Sequence, residues 1–113
     1  MDKERYIKIE IQRFKKIFKD IEEDKKPFAE KLYTQAAFMS ATLNELQEIV
    51  KSEGAVITSI NGNGFETKME NPAQKSYNVM IRNYNATIKS LIEMLPEGQE
   101  TDDLISYIGG GKK

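Results

Sequence analysis

The sequence predicts a mainly α protein: three long amphipathic helices, a β-hairpin between helices two and three, and a short C-terminal helix. Apolar residues recur every three or four positions over long stretches, which is the period of one helix face. One β-branched segment without that period directly precedes the Asn-Gly pair at positions 61 and 62. The 113 residues are 39% hydrophobic and 31% charged, a composition typical of one globular domain with a small core.

The first helix is predicted from Lys3 to Glu23. Its apolar stripe advances by alternating steps of four and three residues, as one face of an α-helix does. The stripe consists of Ile7, Ile11, Phe14, Phe18 and Ile21. A break follows near residues 24 to 26. We expect Asp24 to cap the next helix and Pro27 to lie in its first turn, where a missing N–H costs nothing.

The second helix is predicted from about Pro27 to Ser52. Its apolar positions again lie three or four residues apart. They are Phe28, Leu32, Ala36, Met39, Leu43, Leu46 and Val50. Small side chains in mid-helix would allow another helix to approach closely. These are Ala36, Ala37, Ser40 and Ala41. Gly54 is expected to end the helix as a left-handed residue.

A β-hairpin is predicted near residues 55–69. Residues 55–60 are β-branched, residues 61–64 read Asn-Gly-Asn-Gly and supply positive φ angles for a tight turn, and residues 65–69 form the second strand. An isolated two-stranded ribbon is marginally stable in water. We therefore expect the hairpin to lie on its own helices or to pair with another chain.

The third helix is predicted to begin after an Asn71 cap, with Pro72 at its first position, and to run to Leu95. Its apolar repeat is Tyr77, Ile81, Tyr84, Ile88, Leu91 and Leu95. Residues 1–96 are thus expected to form the helical core. Residues 97–113 are expected to be an acidic C-terminal peptide, with a short helix capped by Thr101 and a flexible tail, that docks on a partner.

Nothing in the sequence indicates an active site. The chain contains no His and no Cys, which removes most zinc sites and nucleophilic triads. Three adjacent acids, Glu22, Glu23 and Asp24, do not converge on one helix face, and Gly62 and Gly64 lack a phosphate-loop pattern. We therefore expect no enzyme, no cofactor and no metal. The N-terminal residues contain no apolar run, so we expect no secretory signal, no membrane span and an intracellular location.

Two basic stripes are candidates for DNA contact. The first helix carries Arg5, Lys8, Lys15, Lys16 and Lys19 within about 100° of arc, opposite its apolar stripe. The third helix carries Lys75, Arg82 and Lys89. Basic side chains on one helix face can neutralise DNA phosphates. An ordinary solvated face stays an alternative for both stripes, since the formal net charge of −1 offers no general attraction to DNA.

Apolar residues outside the main stripes favour self-association over a monomer. Ile9 lies near the basic arc of the first helix, and Val79 is similarly placed on the third. Single exposed apolar residues are normal, but here they accompany a hairpin with unpaired edges. We expect a homo-oligomer.

Three segments carry a resemblance to a known family. They are the block Ala37–Leu46, the hairpin after Gly54 with its Asn-Gly turn, and the block Glu70–Asn85, which begins Glu-Asn-Pro-Ala. The order of these segments is a long helix, then a short hairpin, then a Tyr/Asn-rich helix. That last helix begins with Asn-Pro-Ala and ends in Leu-Pro. Over about residues 28 to 96 the chain resembles the small subunit of phage terminases.

The resemblance implies a DNA-packaging protein that acts in the host cytoplasm. Proteins of this kind assemble into rings, bind double-stranded phage DNA and regulate a separate large terminase subunit, which holds the ATPase and nuclease. The resemblance carries over no DNA-contact residue, because the chain has no recognisable helix-turn-helix before the core. The alternative is a small helical adaptor that binds another protein and makes no nucleic-acid contact.

Overall fold

The computed structural model describes residues 2–96. They form, in order, α1 (Lys3–Ile17), a 3₁₀ turn (Glu23–Lys25), α2 (Lys26–Glu53), β1 (Val56–Ile60), β2 (Glu66–Glu70) and α3 (Pro72–Met94). The predicted class, mainly α with a hairpin between the second and third helices, is confirmed. The short C-terminal helix and flexible tail predicted within residues 97–113 lie outside the described residues.

Helix α2 is the centre of the fold, and both α1 and α3 pack against it. The N-terminal end of α1 contacts α2 through polar side chains. The Tyr6 hydroxyl and Ser40 Oγ are 2.8 Å apart, and Lys3 Nζ lies 3.0 Å from Glu45 Oε1. The protein measures 61 × 24 × 23 Å. A helix of 28 residues is about 42 Å long, so α2 accounts for most of the longest dimension, and it leads through Gly54 into the hairpin.

The core lies where the end of α1 and the end of α3 meet the first half of α2. Its buried members are Phe14, Phe18, Ile21, Ala29, Tyr33, Ala36, Ile88 and Leu91. The rings of Phe14 and Tyr33 stack with centroids 5.6 Å apart and planes 6° apart. Three of the small mid-helix residues, Ala36, Ala37 and Ala41, are buried.

The first helix ends earlier than predicted. Helix α1 stops at Ile17 with Phe18 as its C-cap, so the predicted boundary at Glu23 is wrong, and Lys19 lies in the following turn. The acids at 20, 22 and 23 would face the negative end of the helix dipole if the helix continued. A turn here also brings Phe18 and Ile21 back onto the core.

Two expectations for the second helix are wrong. Asp24 does not cap it: α2 begins at Lys26, its N-cap is Lys25, and no side chain accepts a capping hydrogen bond. Phe28 was placed on the apolar stripe but is 65% exposed. The buried face at this end of α2 instead contains Ala29 and Tyr33, because the rings of Phe14 and Phe18 pack against Tyr33.

Asn71 holds the junction between α2, the hairpin and α3. Its side chain is 2% exposed and caps α3 as predicted, with Oδ1 accepting from the Ala73 N–H at 2.9 Å. Its Nδ2 donates to the Gly54 carbonyl at 2.8 Å and to Glu53 Oε1 at 3.2 Å. Gly54 has the expected positive φ of 93°, but its ψ of 161° is extended rather than left-handed helical. The chain therefore leaves α2 directly into β1.

The predicted hairpin is present and antiparallel, and its register runs from Val56 opposite Glu70 to Ile60 opposite Glu66. In its turn only Gly64 has positive φ, at 83°, as expected for a three-residue loop that ends in a left-handed glycine. Asn61 Oδ1 accepts from the N–H groups of Asn63 and Phe65 and stabilises this loop. All residues of β2 and alternate residues of β1 are exposed, so the hairpin does not lie on its own helices.

Candidate nucleic-acid interface

The five basic residues predicted for the first helix are all exposed. Arg5, Lys8, Lys15 and Lys16 lie on α1, on the face opposite the stripe that is buried through Phe14. Arg5 and Lys16 are about 17 Å apart along the helix at 1.5 Å per residue. One DNA strand carries a phosphate about every 3.4 Å of axis, so this length spans about five phosphates.

These five side chains form no ion pair with a carboxylate within residues 2–96. Other basic residues of the same region do: Lys3, Arg13, Lys25, Lys26 and Lys51 lie 2.8 to 3.9 Å from a Glu oxygen. Lys3 also lies over the Phe38 ring, 4.7 Å from its centroid. The candidate stripe is therefore the part of α1 whose positive charge is not offset by these contacts.

The turn after α1 joins part of this stripe to α2. Lys15 and Lys19 line a groove of about 230 Å³ together with Lys26, the first residue of α2. Glu30 is the carboxylate in its lining, and Lys26 itself lies 2.8 Å from Glu23 Oε2. Sequence reasoning missed Lys26 because only the folding of α2 onto α1 brings it beside Lys15. The rest of the lining is apolar or aromatic and consists of Phe18, Ile21, Ala29 and Tyr33.

Tyr33 forms part of the wall of this groove and is 5% exposed. Burial raises the pKa of the Tyr33 hydroxyl above its ordinary value, and the nearby Glu30 carboxylate raises it further. The phenol therefore stays neutral at physiological pH. It adds no negative charge to a groove whose lining contains three lysines and the Glu30 carboxylate.

The second basic stripe lies on α3. Lys75, Arg82 and Lys89 recur every seven residues, all are exposed, and none is ion-paired within residues 2–96. The stripe covers about 21 Å at 1.5 Å per residue. It lies on the side of α3 opposite Ile88 and Leu91, which are buried against the rest of the core. The two basic stripes therefore lie on different helices, each of which packs on α2.

Among residues 2–96, no group of three or more acids could hold a metal ion. None of the helices there is both long enough and apolar enough to cross a membrane.

Comparison with known proteins finds no match for this chain among protein-family models, curated proteins or solved structures.

Proposed function

We propose that this chain is a phage terminase small subunit. In this role it self-associates, binds double-stranded phage DNA and regulates a separate large subunit that carries the ATPase and nuclease, in the cytoplasm of the infected host. It needs no catalytic residue of its own. The order α2, hairpin, Asn71-capped α3 supports the proposal, because it is the order of the segments that carry the resemblance.

One observation carries the DNA-binding part of the proposal: the exposed face of α1 whose basic side chains have no carboxylate partner within residues 2–96. A charge without a local counterion releases condensed cations from DNA when it meets a phosphate. Most of these residues are lysines, whose compact ammonium groups suit single phosphate contacts rather than bidentate recognition of base edges. We therefore expect binding that depends strongly on salt and weakly on sequence.

Self-association would strengthen such contacts. Each subunit of an oligomer repeats the α1 stripe, and linked weak sites bind far more tightly than one site alone. Exposed apolar side chains support self-association, among them Ile9 at 37% and Val79 at 45%. The ring implied by the resemblance would place several copies of α1 along one duplex.

Charge reversal on α1 tests the proposal. In Lys15→Glu/Lys16→Glu, affinity for all duplexes should fall, and the slope of log K against log salt should become shallower by about 2, because two phosphate contacts are lost. Fluorescence anisotropy with a labelled duplex at four or more salt concentrations measures both. The matched control is Lys31→Glu/Lys51→Glu, which makes the same change in net charge on exposed positions of α2.

The control separates a local contact from an overall charge effect. We expect its slope to stay within about 0.5 of the wild-type slope, since neither lysine lies on the proposed face. Equal slopes for wild type and Lys15→Glu/Lys16→Glu would contradict contact by α1. The stripe of Lys75, Arg82 and Lys89 would then be the next surface to reverse.

A helical protein-binding adaptor is the second candidate function. It is favoured by large apolar side chains that the fold leaves in solvent, including Phe28 at 65%, Phe38 at 50% and Phe65 at 68% exposed. Exposed aromatics of this size are enriched at protein interfaces. Wild-type protein that fails to bind any duplex at low salt would favour this candidate over DNA packaging.

A further inference from the structure

The two edges of the hairpin differ in chemistry. Strand β1 reads Val-Ile-Thr-Ser-Ile and has no charged residue, whereas β2 reads Glu-Thr-Lys-Met-Glu. Charged side chains, lysine especially, protect an edge strand against pairing with another chain. The edge of β1 lacks that protection, and its apolar residues Val56 and Ile60 are 58% and 63% exposed. A two-stranded ribbon of this kind is marginal without a further strand or a packed face.

The hydrogen bonds at the two ends of the hairpin establish which backbone groups of β1 remain free. The Asn61 N–H donates to the Phe65 carbonyl, and the Asn71 N–H donates to the Ala55 carbonyl, each at 2.8 Å. Because hydrogen-bonded and non-bonded pairs alternate in an antiparallel ladder, the odd-numbered residues of β1 bond to β2. The N–H and C=O groups of Val56, Thr58 and Ile60 therefore point to the open edge.

We propose that β1 pairs antiparallel with β1 of a second copy of this chain, about a two-fold axis through Thr58. In this register Val56 lies opposite Ile60 of the other copy, and Thr58 lies opposite its own equivalent. The three outward-facing residues of each strand then exchange about six backbone hydrogen bonds across the axis. The result is a four-stranded antiparallel sheet with the order β2, β1, β1, β2.

Side-chain chemistry selects this pairing. Val56, Thr58 and Ile60 share one face with Glu66, Lys68 and Glu70. Joining the β1 edges brings the β-branched residues of both copies together and leaves the charges on the flanks, as in an interface with an apolar centre and a polar rim. The equivalent pairing of β2 edges would place lysine opposite lysine and glutamate opposite glutamate, which is destabilising.

This contact uses no residue of the proposed DNA-binding face and stands whether or not the chain binds DNA. A two-fold contact buries the same patch on both copies, whereas a ring is closed by head-to-tail contacts. The two can coexist in one particle. The paired hairpins then require an even number of subunits.

Cysteine cross-linking tests the geometry directly, because the natural chain contains no Cys. In Thr58→Cys the two thiols would meet at the two-fold axis, with Cα atoms about 5.5 Å apart, within the range of a disulfide. Mild oxidation should link more than about half of the protein into dimers on a denaturing gel. The matched control, Lys68→Cys, lies opposite Thr58 on the protected edge and should give less than about a tenth.

Charge variants distinguish loss of the contact between copies from loss of the hairpin fold. Thr58→Glu would form an ion pair with Lys68 inside the hairpin but place two carboxylates together at the axis. The combination Thr58→Lys/Lys68→Glu keeps an intra-hairpin ion pair and places two ammonium groups at the axis. By sedimentation velocity, each variant alone should show about half the wild-type particle mass, and an equimolar mixture should recover it.

Two results together would support the pairing. Thr58→Cys should form dimeric cross-links while Lys68→Cys does not, and mixing the two charge variants should restore the wild-type particle mass. Equal cross-linking of Thr58→Cys and Lys68→Cys would overturn it, and so would a particle mass that Thr58→Glu leaves unchanged. Loss of mass without recovery on mixing would also overturn it, because a complementary pair should re-form. DNA affinity is measured separately, so failure here leaves the proposed function standing, and the reverse also holds.

Discussion

Replacing Asn71 by alanine tests how the hairpin is held to the helices. The Asn71 side chain is buried, with 2% exposure, and it joins α3 to the end of α2. It caps α3 by accepting from the Ala73 N–H, and it donates to the Gly54 carbonyl and the Glu53 carboxylate. Alanine cannot make any of these hydrogen bonds. The free energy of unfolding should therefore fall more than for an ordinary polar substitution.

The expected loss follows from the three contacts. Removing a helix N-cap costs about 1 kcal/mol. Leaving the partly buried Gly54 carbonyl without its donor costs about 1 to 3 kcal/mol. The contact with Glu53 adds little, since that residue is exposed. We expect a total of about 2 to 4 kcal/mol, which lowers Tm by about 10 to 20 °C in a domain of this size.

Urea unfolding followed by far-UV circular dichroism measures this loss. All variants should be compared at one protein concentration, because self-association adds to apparent stability. Asn71→Ser keeps an oxygen near the Ala73 N–H and should recover about 1 kcal/mol. Asn85→Ala, at an exposed position within α3, should stay within about 0.5 kcal/mol of wild type. Equal stability of Asn71→Ala and Asn85→Ala would refute the reasoning.

The remaining predictions concern the core. Phe14→Ala removes a fully buried ring that stacks on Tyr33, so urea unfolding should show a loss of about 3 to 5 kcal/mol, whereas Phe28→Ala, at a 65% exposed position, should lose under about 1 kcal/mol. Comparable losses of stability for the two variants would show that the core described here is wrong. The pKa of Tyr33 is raised in the folded state, so folding favours the protonated phenol, and its contribution is complete below about pH 10 and lost as pH rises further. Tyr33→Phe should therefore lose less stability than wild type as the pH rises above about 10, and parallel pH profiles would contradict the shift.

Signals contained within a few neighbouring residues predicted the structure correctly at Asn71 and Gly54, but not at Asp24. Asn71 followed by Pro72 marks a helix start whatever surrounds it, because the capping oxygen and its N–H partner lie two residues apart. Gly54 takes a positive φ as predicted, and residues 61–64 form the predicted hairpin turn, although Gly64 is the one residue of that turn with positive φ. The expected exposure of the basic side chains on α1 and α3 is confirmed as well.

Features that depend on more distant residues were not predictable in the same way. A cap at Asp24 looked suitable, but the chain forms a 3₁₀ turn there before α2 begins at Lys26. Phe28 follows the helical period and yet lies in solvent. Lys26 reaches the groove beside Lys15 through the fold alone, so no pattern near it in sequence could have identified it.

Within residues 2–96 the sequence by itself determined the type and order of the elements: three helices from their apolar period, and one hairpin from its β-branched run and its turn. Helix period, capping and turn formation are local, since the groups involved are separated by one or two turns of chain. Only the tertiary structure decided which side of α2 is buried, where α1 ends and that the hairpin projects from the helices. Those outcomes depend on which surfaces of α1 and α3 reach α2, and burial is a property of the packed assembly rather than of any one segment.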